Sequence, residues 1–420
     1  MKPRLDQSHA LALAAVMGPT VALYAALGMA PLFVVTTVGA LAATWRHRPW
    51  SAIRRPDLWV FAAILGWATI GLAWTLDRPQ ALHTLAALGA LSGGGLLLVA
   101  MVRSLSDAGR RRVRLALAAG LTLALCLAVL ENFNLGPGTL RHPQLHPLDL
   151  PYHLRISRGL TVVALLLGPA TAAAWHEGHR RWAVAMAALA VLAIVSGHAL
   201  SAKIAILLIP LVFAIALVRP RLAANGLAAG ALAAALAFPL LAMAPAPQET
   251  MDRYAFLPNS AHHRLTIWTF TAGKILERPA LGWGLDASRA IPGAEDINPI
   301  VRHFRLPPNA PRDGIRLNEQ NLPLHPHSGP GQIWLELGGI GIALLGALLI
   351  AVTRRIPAAP TRLDGAVAGV AIAAAVVVSS VSYGIWQSWW LSSLWLCAAL
   401  YTAIVPAAPP KSMAIAGASG

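Results

Sequence analysis

The stretch at residues 331–352, GQIWLELGGIGIALLGALLIAV, contains a single charged residue, Glu336, and the run IAILLIPLVFAIALV at 204–218 contains none. A helix that crosses a bilayer needs roughly 20 mostly apolar residues. Inside hydrocarbon the backbone must satisfy its own hydrogen bonds, either in a helix or in a closed barrel. Barrel strands alternate apolar and polar residues with a period of two. Because these runs are continuous, they predict membrane-spanning helices.

The composition extends this prediction to the whole chain. Of 420 residues, 57% are hydrophobic and only 12% are charged, about half the charged fraction of a soluble domain. We therefore predict an all-α polytopic membrane protein with about twelve transmembrane helices. The predicted spans are 9–27, 29–46, 57–76, 80–102, 113–131, 159–175, 182–196, 204–218, 222–243, 331–352, 363–384 and 389–405.

The net charge of +16 would suggest nucleic acid in a soluble protein, but its distribution here indicates membrane topology instead. Short loops rich in Lys and Arg stay on the cytoplasmic side. With twelve spans, the basic residues of the short loops fall on one side, apart from Arg78 and Lys203. We expect that side, and both termini, to be cytoplasmic, with the bilayer and not nucleic acid as partner.

The longest polar segment lies between the ninth and tenth spans, on the opposite side. It contains nine Lys and Arg residues, and helical apolar spacing at 262–276 predicts that it is partly helical. Residues 298–326 are rich in Pro, Asn and Arg and predict an irregular loop. The predicted division is thus spans one to nine in 1–243, a loop domain in 244–330, spans ten to twelve in 331–405, and a disordered cytoplasmic tail in 406–420.

Two spaced patterns occur before and at the start of the tenth span. His327 and Ser328 are followed, after nine residues, by Gly338. Upstream, Arg264 is followed by Trp268 and then by Pro279 and the turn Gly282-Trp283-Gly284. Together they resemble the H-[NSQ]-x9-G and R-x3-W…P-x-x-G-x-G signatures of the O-antigen ligase and polymerase superfamily. The resemblance covers roughly the second half of the chain, together with the overall topology.

The resemblance implies a glycosyltransferase of the Gram-negative inner membrane, with its active site facing the periplasm. Such enzymes transfer a glycan from undecaprenyl diphosphate by a metal-independent, inverting displacement. We expect His327 to act as general base, because histidine can accept a proton near neutral pH. We expect Arg264, Lys203 and Arg158 to bind the diphosphate, although Lys203 stands where the superfamily usually has arginine and lacks the bidentate fork.

Other residues are expected to support this site. His325 precedes the base by two residues, and Ser328 follows it in the motif. An acid inside a span is costly and suggests function, so Glu336 is expected to pair with an arginine. We expect His327 and Arg264 to face one outer cavity that opens sideways to lipid. No metal site or cofactor is predicted, because the paired histidines lack Cys or well-spaced acidic partners.

Among activities of this superfamily, O-antigen ligase, with lipid A–core as acceptor, is the leading hypothesis. A basic outer loop fits a phosphorylated acceptor, and the arginines at positions 302, 305, 312 and 316 are candidates for contacting it. An O-antigen polymerase or a protein O-oligosaccharyltransferase is the alternative within the superfamily. A polysaccharide or lipid transporter is the alternative from another class, but it would place ionisable residues and broken helices at mid-membrane.

Overall fold

A computed structural model of the chain describes residues 6–142, 155–254, 256–257, 259–302 and 315–405. Within these ranges the backbone alone is described for residues 259–260, 299–302 and 315–319. The described chain is almost entirely helical. The predicted disordered tail, 406–420, lies outside the described residues.

The helices follow the apolar runs of the sequence. In chain order they are α1 Gln7–Tyr24, α2 Met29–Thr44, α3 Arg55–Gly71, α4 Arg78–Arg103, α5 Asp107–Asn132, α6 Pro137–Arg141, α7 Ser157–His176, α8 Arg180–Ser196, α9 Leu200–Val218, α10 Pro220–Ala237, α11 Pro247–Arg253, α12 Asn259–Glu277, α13 Gly329–Thr353, α14 Arg362–Val381 and α15 Ser388–Ile404. Each of the twelve predicted spans overlaps one of these helices.

Eight helical segments in the described part of the chain are long and apolar enough to cross a membrane. They are Ala26–His47, Arg78–Arg103, Asp107–Asn132, Ser157–His176, Leu200–Val218, Pro220–Met243, Gly329–Thr353 and Arg362–Val381, and Ser388–Ile404 is a shorter apolar helix. A multi-pass membrane protein is thus confirmed, and the count of twelve crossings stays a prediction.

Helix α7 lies at the centre of the main core, where most of its residues are buried. It packs against α1, α5, α8, α14 and α15. Small residues bring these helices close together: a Cβ added to Gly159 would lie 2.3 Å from the Leu23 Cα. Close approach of this kind replaces the hydrophobic driving force that helices lack in lipid.

The segment between α10 and α13 contains α11, α12 and a hairpin. Strands β1 Ile297–Arg302 and β2 Ile315–Gln320 pair antiparallel, with Ile297 opposite Gln320. The prediction of an irregular loop over 298–326 is therefore wrong at these strands. Proline suggested a loop because it donates no ladder hydrogen bond, but a two-stranded hairpin has outer edges where a proline such as Pro299 is tolerated.

The same segment does not pack as a separate unit. Its buried residues Ile267, Ile275 and Trp283 share a core cluster with Phe238, which follows α10, and Leu335 of α13. This packing fixes α12 and the turn after it against the first half of α13. The division into domains at residues 244 and 330 stays a prediction.

Candidate functional site

Helix α13 is broken at Gly338, the glycine of the H-S-x9-G pattern. Its φ is +68° and its ψ is −167°, a conformation that only glycine adopts easily. A Cβ at this position would lie 2.1 Å from the carbonyl oxygen of Ala280. The nine-residue spacing therefore places a helix break eleven residues after His327.

The turn Gly282-Trp283-Gly284 fills this break. The N–H groups of Trp283 and Gly284 donate to the carbonyls of Leu335 and Glu336, each at 2.9 Å. The Trp67 indole donates to the Leu337 carbonyl at 2.8 Å. Carbonyls that the broken helix leaves without partners are thus satisfied, and the two spaced sequence patterns form one structural unit.

Glu336 is fully buried within this unit. We predicted that it pairs with an arginine, but its described hydrogen-bond partners are other residues, so that prediction is wrong. One carboxylate oxygen accepts from the Asp286 N–H at 2.6 Å and the Trp386 indole at 2.5 Å. The other accepts from Ser288 Oγ at 2.5 Å and Gln332 Nε2 at 3.0 Å. Glu336 therefore connects α13, the turn after α12 and the segment before α15.

We expect Glu336→Gln to destabilise the protein by about 2–4 kcal/mol. The amide nitrogen of glutamine is itself a donor, and it would face two N–H or O–H groups that now donate to a carboxylate oxygen. Glu277→Gln is the matched control, since Glu277 is half exposed and pairs with Lys274 at the surface, and we expect it to change stability by less than about 0.5 kcal/mol. Thermal unfolding in detergent measures both. Equal melting temperatures for the two variants would contradict the structural role of Glu336.

His327 lies immediately before α13 with a positive φ of 53°, which is uncommon for a residue other than glycine and points to a functional constraint. Its Nδ1 lies 2.7 Å from the Ser382 carbonyl oxygen. A carbonyl only accepts, so Nδ1 carries the proton and Nε2 of the neutral ring has the lone pair. Ser328 begins the helix, and its Oγ accepts from the Gly331 N–H.

Burial lowers the pKa of His327 below its ordinary value of 6.5, against the opposing effect of the Ser382 carbonyl. The positive charges of Arg264 and Arg158 lower this pKa further. His327 is therefore neutral at pH 7, which is the form that a general base requires.

His325 packs beside His327, with 4.3 Å between the ring centroids. The Trp389 indole donates to Gln387 Oε1 at 2.9 Å, so the amide nitrogen of Gln387 faces His325 Nε2 at 3.1 Å. Burial and the charges of His327, Arg289 and Arg158 lower the pKa of His325 to about 3. His325 is thus a neutral neighbour of His327.

Helix α12 supplies the other side of the site. The His263 ring lies 6.5 Å from the His327 ring, and burial, His327 and Arg264 lower the pKa of His263. One turn further along α12, the Trp268 indole donates to the Pro326 carbonyl at 2.8 Å. The tryptophan of the R-x3-W pattern therefore binds the histidine segment to α12.

A cavity of about 180 Å³ lies beside Arg264. Its lining is mostly apolar and comes from α9, from α12 with the residues just before it, and from the end of α14: Leu200, Ser201, Ile204, Leu257, Ala261, Leu265, Trp268 and Val381. Arg264 thus belongs both to this cavity and to the surroundings of His327. The single outer cavity shared by both residues stays a prediction.

The structure brings together most of the predicted site residues. The charges of Arg264 and Arg158 both act on His327. Lys203 lies in the first turn of α9, between the cavity residues Ser201 and Ile204, and its role stays a prediction. The side chains at 302 and 316, and residues 305 and 312 entirely, lie outside the described part of the chain.

Sequence reasoning missed two residues. His263 adjoins Arg264 in the sequence, so its position beside the motif arginine was an available signal. Arg289 acts on His325, but it lies in a turn at no recognisable spacing from the motif. Among the described residues, no group of three or more His, Cys, Asp or Glu is arranged to hold a metal ion.

The helices and this site define a multi-pass membrane protein with histidines and arginines gathered where α12 meets the start of α13. Residues 185–346, from α8 into α13, match the family model described as O-Antigen ligase. Lys203, Arg264 and His327 all lie within this match.

Curated relatives have corresponding names. The chain is 33% identical over 172 residues to the protein named "Putative polysaccharide ligase RC0486" of Rickettsia conorii and to "Putative polysaccharide ligase RP358" of Rickettsia prowazekii. Each similarity covers 41% of this chain and 39% of the relative. The chain therefore spans about two fifths of the length of the curated relatives it matches.

Proposed function

We propose that this protein is an O-antigen ligase. It transfers a glycan from undecaprenyl diphosphate to lipid A–core at the periplasmic face of the Gram-negative inner membrane. The observation that carries the proposal is the setting of His327, whose Nδ1 is fixed by the Ser382 carbonyl while two arginines act on its ring. The family match of residues 185–346 and the names of the relatives support the same reaction class.

In this mechanism His327 is the general base. Nε2 takes the proton of an acceptor sugar hydroxyl as the hydroxyl oxygen attacks the anomeric carbon from the face opposite the leaving group. The new C–O bond forms while the bond between that carbon and the diphosphate oxygen breaks, so the configuration inverts. The diphosphate leaves with the electron pair, and a neutral base that is held in place contributes typically 10²–10⁴-fold to such a step.

Arg264 and Arg158 stabilise the charge that develops on the diphosphate, and Lys203 is the third candidate. Guanidinium groups donate two parallel hydrogen bonds to phosphate, and fixed positive charge in a site shielded from water is effective where negative charge develops. We propose that these cations suffice for the step without a metal ion.

The cavity beside Arg264 suits the first isoprene units of the donor. Leu200, Ile204, Leu265 and Val381 offer an apolar wall, and the arginine lies at the same cavity. A polyprenyl diphosphate has this chemistry, an apolar chain that ends in a dianionic or trianionic head. Recognition of both parts places the anomeric carbon next to the diphosphate and near His327.

The choice of ligase over polymerase depends on the acceptor. Lipid A–core carries phosphate groups, and the segment between α10 and α13 contains nine Lys and Arg residues, four of them arginines at 302–316. Several of its cations have structural partners: Arg278 stacks over the Trp283 ring at 4.2 Å, Lys274 pairs with Glu277, and Arg253 pairs with Glu249. Arg289 and the arginines at 302–316 are the candidates for the acceptor.

The test uses the purified chain in detergent with undecaprenyl-diphosphate glycan and lipid A–core, in the presence of a chelator. A mass increase of lipid A–core by one glycan is the result we expect. Lengthening of the lipid-linked glycan instead would indicate a polymerase, and transfer that needs an added divalent ion would overturn the metal-independent mechanism. No change in either lipid would favour the transporter alternative.

The pH dependence of transfer follows from the pKa of His327. Because that pKa is lowered, the base stays neutral to below pH 6.5, and we expect the rate to fall only as the pH drops through the lowered value.

Arg158→Gln removes a positive charge that lowers the pKa of His327, so the acid midpoint of the pH–rate profile should move to higher pH. Arg155→Gln, an exposed arginine one turn earlier, is the matched control. Equal midpoints for both variants would contradict the electrostatic effect of Arg158 on the base.

A further inference from the structure

The end of the bundle remote from the histidines carries a second group of arginines. The start of α4 contacts the turn after α12, since Gln80 Nε2 donates to Asp286 at 2.8 Å, and α13 starts two residues after His327. At 1.5 Å per residue, α4 and α13 each extend about 35–40 Å. Arg103 at the end of α4 and Arg355 beyond α13 therefore lie on the opposite side of the molecule.

These arginines form a cluster with excess positive charge. Arg103 donates to the Ala52 carbonyl at 2.7 Å, and Arg355 pairs with Asp57. The charges of Arg54, Arg355 and Asp57 all act on the Arg103 guanidinium. Three guanidinium groups and one carboxylate thus lie close enough to interact, and Arg355 pairs with the carboxylate, which leaves the positive charges of Arg54 and Arg103 to repel each other.

Exposed tryptophans border the cluster. Trp45, Trp50 and Trp59 are 59%, 45% and 69% exposed, and the rings of Trp45 and Trp50 meet edge to face at 5.4 Å between centroids. Between them Arg48 has a positive φ of 47°, and its carbonyl accepts from the Ser51 N–H at 3.0 Å. Tryptophan is enriched where a protein meets lipid headgroups, so the cluster lies at headgroup depth.

We propose that Arg54 and Arg103 bind the phosphodiester headgroup of an anionic membrane lipid, with Trp45 and Trp50 against its glycerol and upper acyl carbons. A phosphate between the two guanidinium groups removes their repulsion and accepts paired hydrogen bonds. Basic residues next to a spanning helix attract anionic lipids, and the aromatic rings add an apolar contact that a free anion does not use. This site is independent of the proposed transfer reaction.

The test is native mass spectrometry of the full chain in detergent with phosphatidylglycerol, phosphatidylcholine or inorganic phosphate. The parent should retain phosphatidylglycerol in preference to phosphatidylcholine. Arg54→Gln should weaken that retention about fivefold, which is the effect of one arginine near an anionic lipid. Arg54 is exposed, and although it is the N-cap residue of α3 its side chain makes no capping hydrogen bond, so the variant should fold. The variant that also carries Arg103→Gln should lose the preference.

Arg221→Gln is the matched control, an exposed arginine in the first turn of α10 that lies outside the cluster. Retention equal to that of the parent supports a defined site. An equal fivefold loss in this control, or no preference of the parent for phosphatidylglycerol, would overturn the proposal. Full displacement of the lipid by millimolar inorganic phosphate would overturn the assignment to a lipid headgroup.

Discussion

His327→Ala should lower the rate of glycan transfer by about 10²–10⁴-fold, the usual contribution of a positioned general base. The ring is neutral, its tautomer is fixed by the Ser382 carbonyl, and its Nε2 is the base that we propose. Alanine leaves the acceptor hydroxyl without a proton acceptor. Initial rates with purified protein, donor and acceptor measure the loss.

The control for this variant is His47→Ala, which removes an exposed histidine from the short helix after α2. We expect it to transfer glycan at the rate of the parent. His327→Ala should also elute as a folded protein with a melting temperature close to that of the parent, because the side chain is only partly buried. A folded His327→Ala with more than a tenth of the parent rate would rule out His327 as the base.

Gly338→Ala should destabilise the protein by about 3 kcal/mol or more, by combining a left-handed conformation with a steric clash. The added Cβ would lie 2.1 Å from the Ala280 carbonyl oxygen, which is backbone that cannot move aside without disturbing the turn at 282–284. Thermal unfolding in detergent, followed by size-exclusion chromatography, measures the effect. Transfer should be lost with the fold, since the same break positions the helix that follows His327.

Gly346→Ala provides the matched control in the same helix. A Cβ at Gly346 would meet Leu232 side-chain carbons at 3.7 Å, which is ordinary contact. Because alanine also favours the helix over glycine, we expect a melting temperature equal to or slightly above that of the parent. If both variants melt together, the break at Gly338 does not have the structural role described above.

The helices could be predicted from the sequence because long apolar runs leave the backbone few alternatives in lipid. The broken helix could not, since a glycine inside an apolar run is equally consistent with close helix packing. Gly338 becomes a break only because the turn at 282–284, more than fifty residues away in sequence, donates N–H groups to the carbonyls before it. The x9 spacing thus pointed to a family pattern, but it did not reveal that its glycine breaks the helix.

The site was predicted in part for a similar reason. His327, Arg264 and Arg158 were predictable from residue type, spacing and position at helix ends. The orientation of His327 depends on a backbone carbonyl, that of Ser382, and any residue type can supply a carbonyl. Glu336 was assigned the wrong partner because its donors come from segments about fifty residues away on both sides, and such contacts are not encoded in spacing.

The central claim is that Arg264 binds the donor on which His327 acts, and donor binding measured beside turnover tests it most directly. With purified protein and undecaprenyl-diphosphate glycan, His327→Ala should bind the donor with the affinity of the parent but transfer no glycan. Arg264→Gln should bind it at least tenfold more weakly, because a bidentate contact with phosphate is lost. If Arg264→Gln binds the donor as tightly as the parent while both variants remain folded, the diphosphate lies elsewhere and the account of the site is wrong.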